Sequence, residues 1–200
     1  GGRHRSTLRS RLDTRSQQWR DNVAAMEALW GQVADELAAL ETIGGQRYVD
    51  RHRARGKMLA RERIEQLVDP DTPILELSPL AGWGSEFPIG AGVVNAIGIV
   101  EGVEVGITAT DMTYRGGSTN PSTLDKSSRF FEIVRTNRLP WISLNESAGA
   151  DLPHQADVFN RGGASFKHQT QLSAAGIPTI TCGFGPATAG GAYTPGMSDY

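Results

Sequence analysis

The sequence predicts an α/β domain behind a charged helical arm. Two observations carry this. Residues 1–69 hold 13 of the 20 lysines and arginines but only 6 of the 24 glycines. From Ile74 on, short β-branched runs alternate with amphipathic stretches and end in glycine-rich loops, the pattern of strands feeding helices. The division falls after Asp69, giving a helical segment over 1–69 and an α/β segment over 70–200.

The first predicted helix runs from Leu12 to Leu40. Val23, Met26, Leu29, Trp30, Val33, Leu37 and Leu40 recur at spacings of three and four, and Gly44-Gly45 ends it. Such a stripe packs on its own domain or on a neighbouring subunit; its mixed polar face argues against a membrane surface. Arg47, Arg51, Arg53, Arg55, Lys57, Arg61 and Arg63 then place seven positive charges in 17 residues. They form either a solvated helical face or a site for an anionic group such as a nucleotide phosphate. Arg61 to Asp69 continues as a helix with Ile64, Leu67 and Val68 inward, broken by Asp69-Pro70-Asp71.

Strands follow. Ile74 to Leu77 is short, and Ala91–Val100 and Val103–Thr110 flank a two-residue turn at Glu101-Gly102. Pro121-Ser122 opens a helix to about Asn137, with Ser122 and Asp125 spaced as a capping box. Trp141–Leu144 and Pro178–Cys182 read as buried strands, separated by a loop and a helix from about Gly163 to Ala175. Right-handed crossovers should join the parallel strands.

Two loops at the carboxyl ends of these strands hold the expected chemistry. The first is Asn145-Glu146-Ser147-Ala148-Gly149-Ala150; the second is Gly183 to Ala192, including Thr188-Ala189-Gly190-Gly191. Neither presents an obvious acid, base or nucleophile. Small residues let a ligand approach backbone N–H groups, and a helix opening at Gly190-Gly191 would favour negative charge. Converging, the two loops could hold one oxyanion. Tight strand-to-helix packing accounts equally well for each loop taken alone.

Other motifs exclude more than they propose. A G-x-G-x-x-G pattern starting at Gly183 fails at Thr188, no phosphate loop of the G-x-x-x-x-G-K type occurs, and Ser147 lacks a hydrolase elbow. His154 and His168 read as polar surface or structural hydrogen-bonding groups rather than bases or ligands, and Cys182 and Trp141 as core. The 200 residues carry a net charge of -2 and pI ≈ 6.1, which gives no footprint for nucleic acid or a membrane surface. The single cysteine excludes an intramolecular disulfide and a multi-cysteine metal site, and no metal is expected. No run reaches the roughly 18 apolar residues of a membrane span. The Gly1-Gly2 start, without methionine or signal-peptide core, reads as a processed or cut end.

Several motifs together resemble a family. Gly56-Lys57, Arg61-Glu62-Arg63-Ile64 and Asp69-Pro70, then Gly116-Gly117 after Ala109-Thr110-Asp111, are similar to the N-terminal region of the carboxyltransferase β subunits of biotin-dependent acyl-CoA carboxylases. Glu146-Ser147-Ala148-Gly149-Ala150 and Thr188-Ala189-Gly190-Gly191-Ala192-Tyr193 extend the likeness over nearly the whole chain from Leu12. Leu152 to Phe159 resembles the methylcrotonoyl-CoA type more than the propionyl-CoA type.

The resemblance implies a crotonase-like (ClpP/crotonase) spiral of ββα units behind an N-terminal helical arm, assembled as a trimer or a dimer of trimers. It implies transfer of a carboxyl group from carboxybiotin, carried by a biotin carboxylase/carrier α subunit, to an acyl-CoA. Backbone amides of Gly149, Ala150, Gly190 and Gly191 would hold the thioester oxygen as an enolate forms. Arg115, Gly116, Gly117, Ser147, Ala148 and Ala189 would contact the acyl-CoA. The biotin ureido nitrogen freed by loss of CO2 would take the substrate proton, which accounts for the missing base. The location implied is a bacterial cytoplasm first, a mitochondrial matrix second.

Ala148 and Arg115 stand where the family has Gly and commonly Lys. The family's second domain, which receives biotin, is not within these residues. Two alternatives stay open: another crotonase-fold CoA-ester enzyme, a hydratase or isomerase with Glu146 as its base, or a non-catalytic assembly subunit.

Overall fold

The computed structural model of the chain describes residues 9–200, so the Gly1-Gly2 start lies outside them. Two compact units divide between Ala38 and Ala39. In the first, helix α1 (Gln17–Ala39) begins five residues later than the apolar spacing predicts. The cause is local: Asp13 binds the Arg15 amide, and Ser16 caps the helix by accepting from the Trp19 amide at 3.1 Å. No residue of α1 is buried.

The second unit opens with a 3-10 turn (Leu40–Thr42), α2 (Gln46–Arg53) and α3 (Ala60–Leu67). Five strands follow: β1 (Leu75–Leu77), β2 (Val93–Val100), β3 (Val103–Thr110), β4 (Trp141–Ser147) and β5 (Thr179–Ala187). They lie side by side in chain order. β1, β2 and β3 pair antiparallel, and β3, β4 and β5 pair parallel. The β2–β3 hairpin turns where Glu101-Gly102 predicts. Asp69 holds that turn, accepting from both turn amides at 2.8 Å.

Helices α4 (Pro121–Asn137) and α5 (Gln155–Ala174) make the two parallel crossovers. α4 starts as predicted, but its cap is Asn120, whose side chain accepts from the Thr123 amide, and not the Ser122/Asp125 pair. Pro121 then stands at the first helical position, where its missing N–H costs nothing. α5 begins eight residues before the expected Gly163. Gly162 and Gly163 lie inside it, each costing about 1 kcal/mol relative to alanine. Burial of Val158, Gln169 and Leu172 along 20 residues outweighs that cost.

The sheet is covered on both faces. On one side α3 packs Ala60, Ile64 and Val68 against Val94, Ala96, Val105, Ile107, Ile142 and Leu144. On the other, α4 and α5 bring Phe130, Phe131, Val134 and Leu172 to Trp141 and Ile177. β5 is not the buried strand expected: only Thr179 is buried along it, and Cys182 is exposed rather than core. It is the outer strand of this sheet: among the described residues no further strand pairs with it, and the Thr181 amide donates instead to the Tyr200 carbonyl at 2.9 Å.

Candidate active site

Strand alternation builds the site. Along β4, Trp141, Ser143, Asn145 and Ser147 point to the α4/α5 face, and Ile142, Leu144 and Glu146 point to the α3 face. The first set lines a cavity of about 260 Å³ between the sheet and the two helices. Gly149, Ala150, Ala189, Gly190 and Gly191 also line it, so both predicted loops reach one cavity. Trp141 and Phe131 lie on its wall. Among the described residues, none that lines it is ionisable.

The loops touch directly. The Thr188 amide donates to the Ser147 carbonyl at 3.1 Å, and Asn145 Nδ2 donates to the Gly191 carbonyl at 3.3 Å. A Cβ on Gly191 would lie 2.9 Å from that of Ser147, so only glycine fits there. Gly149 at φ +92° and Ala189 at φ +48° adopt left-handed backbone, natural for glycine and strained for alanine. The Ala189–Ala192 segment is a 3-10 turn leading to the five-residue helix α6 (Tyr193–Met197), too short for the dipole expected there.

The four amides differ in what they are free to do. That of Gly149 donates to Ser147 Oγ at 3.0 Å, and that of Gly191 to the Thr188 carbonyl at 2.9 Å. The amides of Ala150 and Gly190 donate to no acceptor among the described residues. Ala150 forms a parallel bridge with Thr119 in which the Asp151 amide and the Gly149 carbonyl do the bonding, so its own N–H points away from Thr119.

The Arg115–Gly117 segment borders the first loop. A Cβ on Gly116 would meet that of Ala148 at 3.6 Å, and Gly117 (φ +72°) is hemmed in by Met112 and Thr110. Arg115 does not line the cavity; its Nη1 donates to both Asp151 carboxylate oxygens at 2.9 Å. Asp151 also binds His154 Nδ1 at 2.9 Å, and this hydrogen bond raises the His154 pKa. His154 is therefore the structural group expected. His168 stacks on Phe131, and burial lowers its pKa.

The basic run fits neither of its two readings as a whole. Arg53 pairs with Glu62, and Arg61 meets both oxygens of Glu76 at 2.9 Å. Lys57 and Arg63 converge on Glu146, with Arg63 Nη2 at 2.8 Å and both Arg63 and Glu146 almost completely buried. These four cations are consumed by carboxylates of the same chain. Arg47, Arg51 and Arg55 remain exposed. Burial alone would raise the Glu146 pKa, but the hydrogen bonds from Lys57 and Arg63 outweigh it and hold the carboxyl below its ordinary range. Glu146, the base required by the hydratase alternative, faces α3 and is absent from the cavity lining. Its alternation with Ile142 and Leu144 is the sequence signal that places it there.

The α/β sheet with its helical N-terminal part is the crotonase-like fold of solved carboxyltransferase β subunits. The β subunit of geranyl-CoA carboxylase from P. aeruginosa superposes with a TM-score of 0.80 at 36% identity, over 98% of this chain and 37% of that one. A transcarboxylase 12S structure superposes with a TM-score of 0.80 at 27% identity, over 88% and 35%. The chain belongs to the carboxyl transferase domain family, whose model matches residues 51–200. A probable biotin-dependent acyl-coenzyme A carboxylase beta2 subunit of Mycobacterium tuberculosis is 54% identical over 96% of this chain and 36% of its own. The probable mitochondrial methylcrotonoyl-CoA carboxylase beta chain of Drosophila melanogaster is 44% identical over 97% and 35%. A propionyl-CoA carboxylase beta chain of Roseobacter denitrificans reaches 30%, so the likeness is to the methylcrotonoyl-CoA type. The chain spans about a third of the length of these relatives. No helix of the described residues is long and apolar enough to cross a membrane.

Proposed function

We propose that this chain forms the acyl-CoA half of a biotin-dependent carboxyltransferase site, in which main-chain amides hold the thioester oxygen while the neighbouring carbon becomes an enolate. The observation that carries the reading is a cavity bordered by two unengaged amides, at Ala150 and Gly190, and lined by no titrating side chain. Such a site can stabilise negative charge on oxygen, and it cannot itself remove a proton.

The roles follow from position. Ala150 and Gly190 donate to the oxygen. Gly149 and Gly191, whose amides are engaged within the loops, shape the approach. Ser147, Ala148 and Ala189 border the thioester, and Arg115, Gly116 and Gly117 lie toward the coenzyme A moiety. Carboxybiotin, delivered by a partner α subunit, supplies the carboxyl group and the proton acceptor. The walls at Phe131, Trp141 and Phe166 receive an apolar acyl chain. The arm and residues 70–200 are the N-terminal part of a β subunit that assembles as a trimer or a dimer of trimers.

The test is turnover by the full-length polypeptide with its biotin-bearing partner and verified carboxybiotin. Carboxylation of at least one acyl-CoA in a broad panel is expected. No turnover across the panel overturns the proposal.

A further inference from the structure

The buried charge cluster behind the site is tied to both loops at once. Glu146 lies one residue before the cavity-lining Ser147. Its pairing register with β5 breaks here: Asn145 faces Gly183, but Ser147 faces Ala187, so Phe184, Gly185 and Pro186 bulge from the ladder. A bulge of this kind leaves backbone groups without strand partners. Lys57 Nζ supplies one, donating to the Phe184 carbonyl at 3.2 Å while it also binds Glu146. The Arg63 guanidinium lies 4.4 Å from the centre of the Phe184 ring and donates to the second Glu146 oxygen. Arg63 is itself fixed from behind, with Nε donating to the Met58 carbonyl at 3.0 Å.

The space for this arrangement comes from Gly185. A Cβ there would lie 2.7 Å from the Glu146 carboxylate carbon and 2.8 Å from Lys57 Nζ. The residues that reach across are far apart in the chain, from the α2–α3 connection, α3, β4 and β5, and they meet on the face opposite the cavity.

We propose that Lys57, Arg63 and Glu146 are positioning residues for the carboxyltransferase reaction. They clamp the end of β4 to the bulge of β5 and so set the spacing between the Ala150 and Gly190 amides. The inference rests on the amide reading above. A donor pair acts on a developing oxyanion only at hydrogen-bonding distance from both sides, and displacement of about 1 Å costs on the order of 100-fold in rate. The ground-state thioester is held by many contacts along the coenzyme A and acyl chain, so a loosened clamp acts on turnover and not on binding. Lys57 is the member to remove, because Glu146 keeps Arg63 as its partner and no buried charge is stranded.

The experiment uses the full-length holoenzyme with its biotin-bearing partner. For Lys57→Met, kcat for carboxylation should fall about 10- to 100-fold with KM for acyl-CoA within about two-fold of wild type. Lys57→Arg, which can reach both Glu146 and the Phe184 carbonyl, should recover most of the loss. Arg55→Met, an exposed member of the same basic run, serves as the control and should match wild type. A Lys57→Met holoenzyme with wild-type kcat, or with equal losses in Lys57→Met and Lys57→Arg, overturns the clamp while leaving the proposed function intact. If Lys57→Met does not assemble, the isosteric Glu146→Gln decides by the same criterion: a selective fall in kcat supports the clamp and an unchanged kcat overturns it. A wild-type holoenzyme without carboxylation activity overturns both proposals.

Discussion

Gly191 sits against Ser147 so closely that a methyl group on the glycine would lie 2.9 Å from the serine Cβ and 3.1 Å from its Oγ. This contact joins the turn after β5 to the end of β4, and both residues line the cavity. The glycine is needed for proximity and not for its dihedral angles, since its φ is not in the left-handed region.

Gly191→Ala should therefore push the two loops apart. Overpacking of this kind costs about 1–3 kcal/mol. On the proposed mechanism kcat should fall by about two orders of magnitude, because the donors move relative to each other. Steady-state carboxylation kinetics with a denaturation curve on the same sample separate the two effects.

Glu146→Ala should destabilise the fold by about 3–5 kcal/mol, since it leaves the Arg63 guanidinium buried and without its carboxylate. The cluster also carries an acid signature. The Glu146 pKa is lowered in the folded state, so its contribution is present above the unfolded carboxyl value near pH ~4 and disappears as pH falls through the folded value. Glu146→Gln should flatten that part of the stability–pH curve, measured by urea denaturation from pH 7 downward.

Much of this arrangement was legible in the sequence, for reasons that differ by element. The β2–β3 hairpin could be read because Glu101-Gly102 is a local turn signal between alternating runs. α4 could be read because Pro121 fixes its first turn. The two loops could be read as converging because parallel strands deliver their ends to one edge. The first two turns of α5, before the expected start at Gly163, are not legible because glycine is a poor helix former, and burial of Val158, Gln169 and Leu172 supports the helix from Gln155 on. Cys182 resembles core because its strand is apolar on paper, but β5 is the last strand of this sheet and Cys182 is exposed on it. The basic run misleads most. A cluster of cations reads as solvated or ligand-binding, and nothing local reveals that Glu146, 83 residues beyond Arg63, neutralises two of them. The alternation Ile142, Leu144, Glu146 was the available hint.

Lys126 gives a prediction at alkaline pH. It is buried and, among the described residues, donates to the carbonyls of Gly90 and Val93, and burial lowers its pKa to about 8 even with Glu76 nearby. A lysine with a depressed folded pKa takes up a proton more readily when unfolded, so stability should rise as pH goes from about 8 to about 10. The full difference between those values corresponds to ~3 kcal/mol. Lys126→Met should remove the rise, measured by denaturant midpoints at pH 8, 9 and 10.

Asp151 should set the titration of His154. The hydrogen bond between them raises the histidine pKa, with Glu86 adding to it. Asp151→Asn should bring the His154 pKa down toward its ordinary value, followed by the imidazole proton shifts in an NMR titration. An unchanged value would show that Glu86 and not Asp151 controls the ring. The same substitution removes the Arg115 partner, so the Arg115–Gly117 segment should lose hydrogen-exchange protection.

The most direct measurement replaces the Gly190 amide with an ester, by semisynthesis of the full-length protein with glycolic acid at position 190. The change deletes one N–H and leaves every side chain in place. A fall in kcat of about 100- to 1000-fold is expected, with little change in KM for the acyl-CoA. Carboxylation at the wild-type rate by the ester-containing enzyme would contradict it.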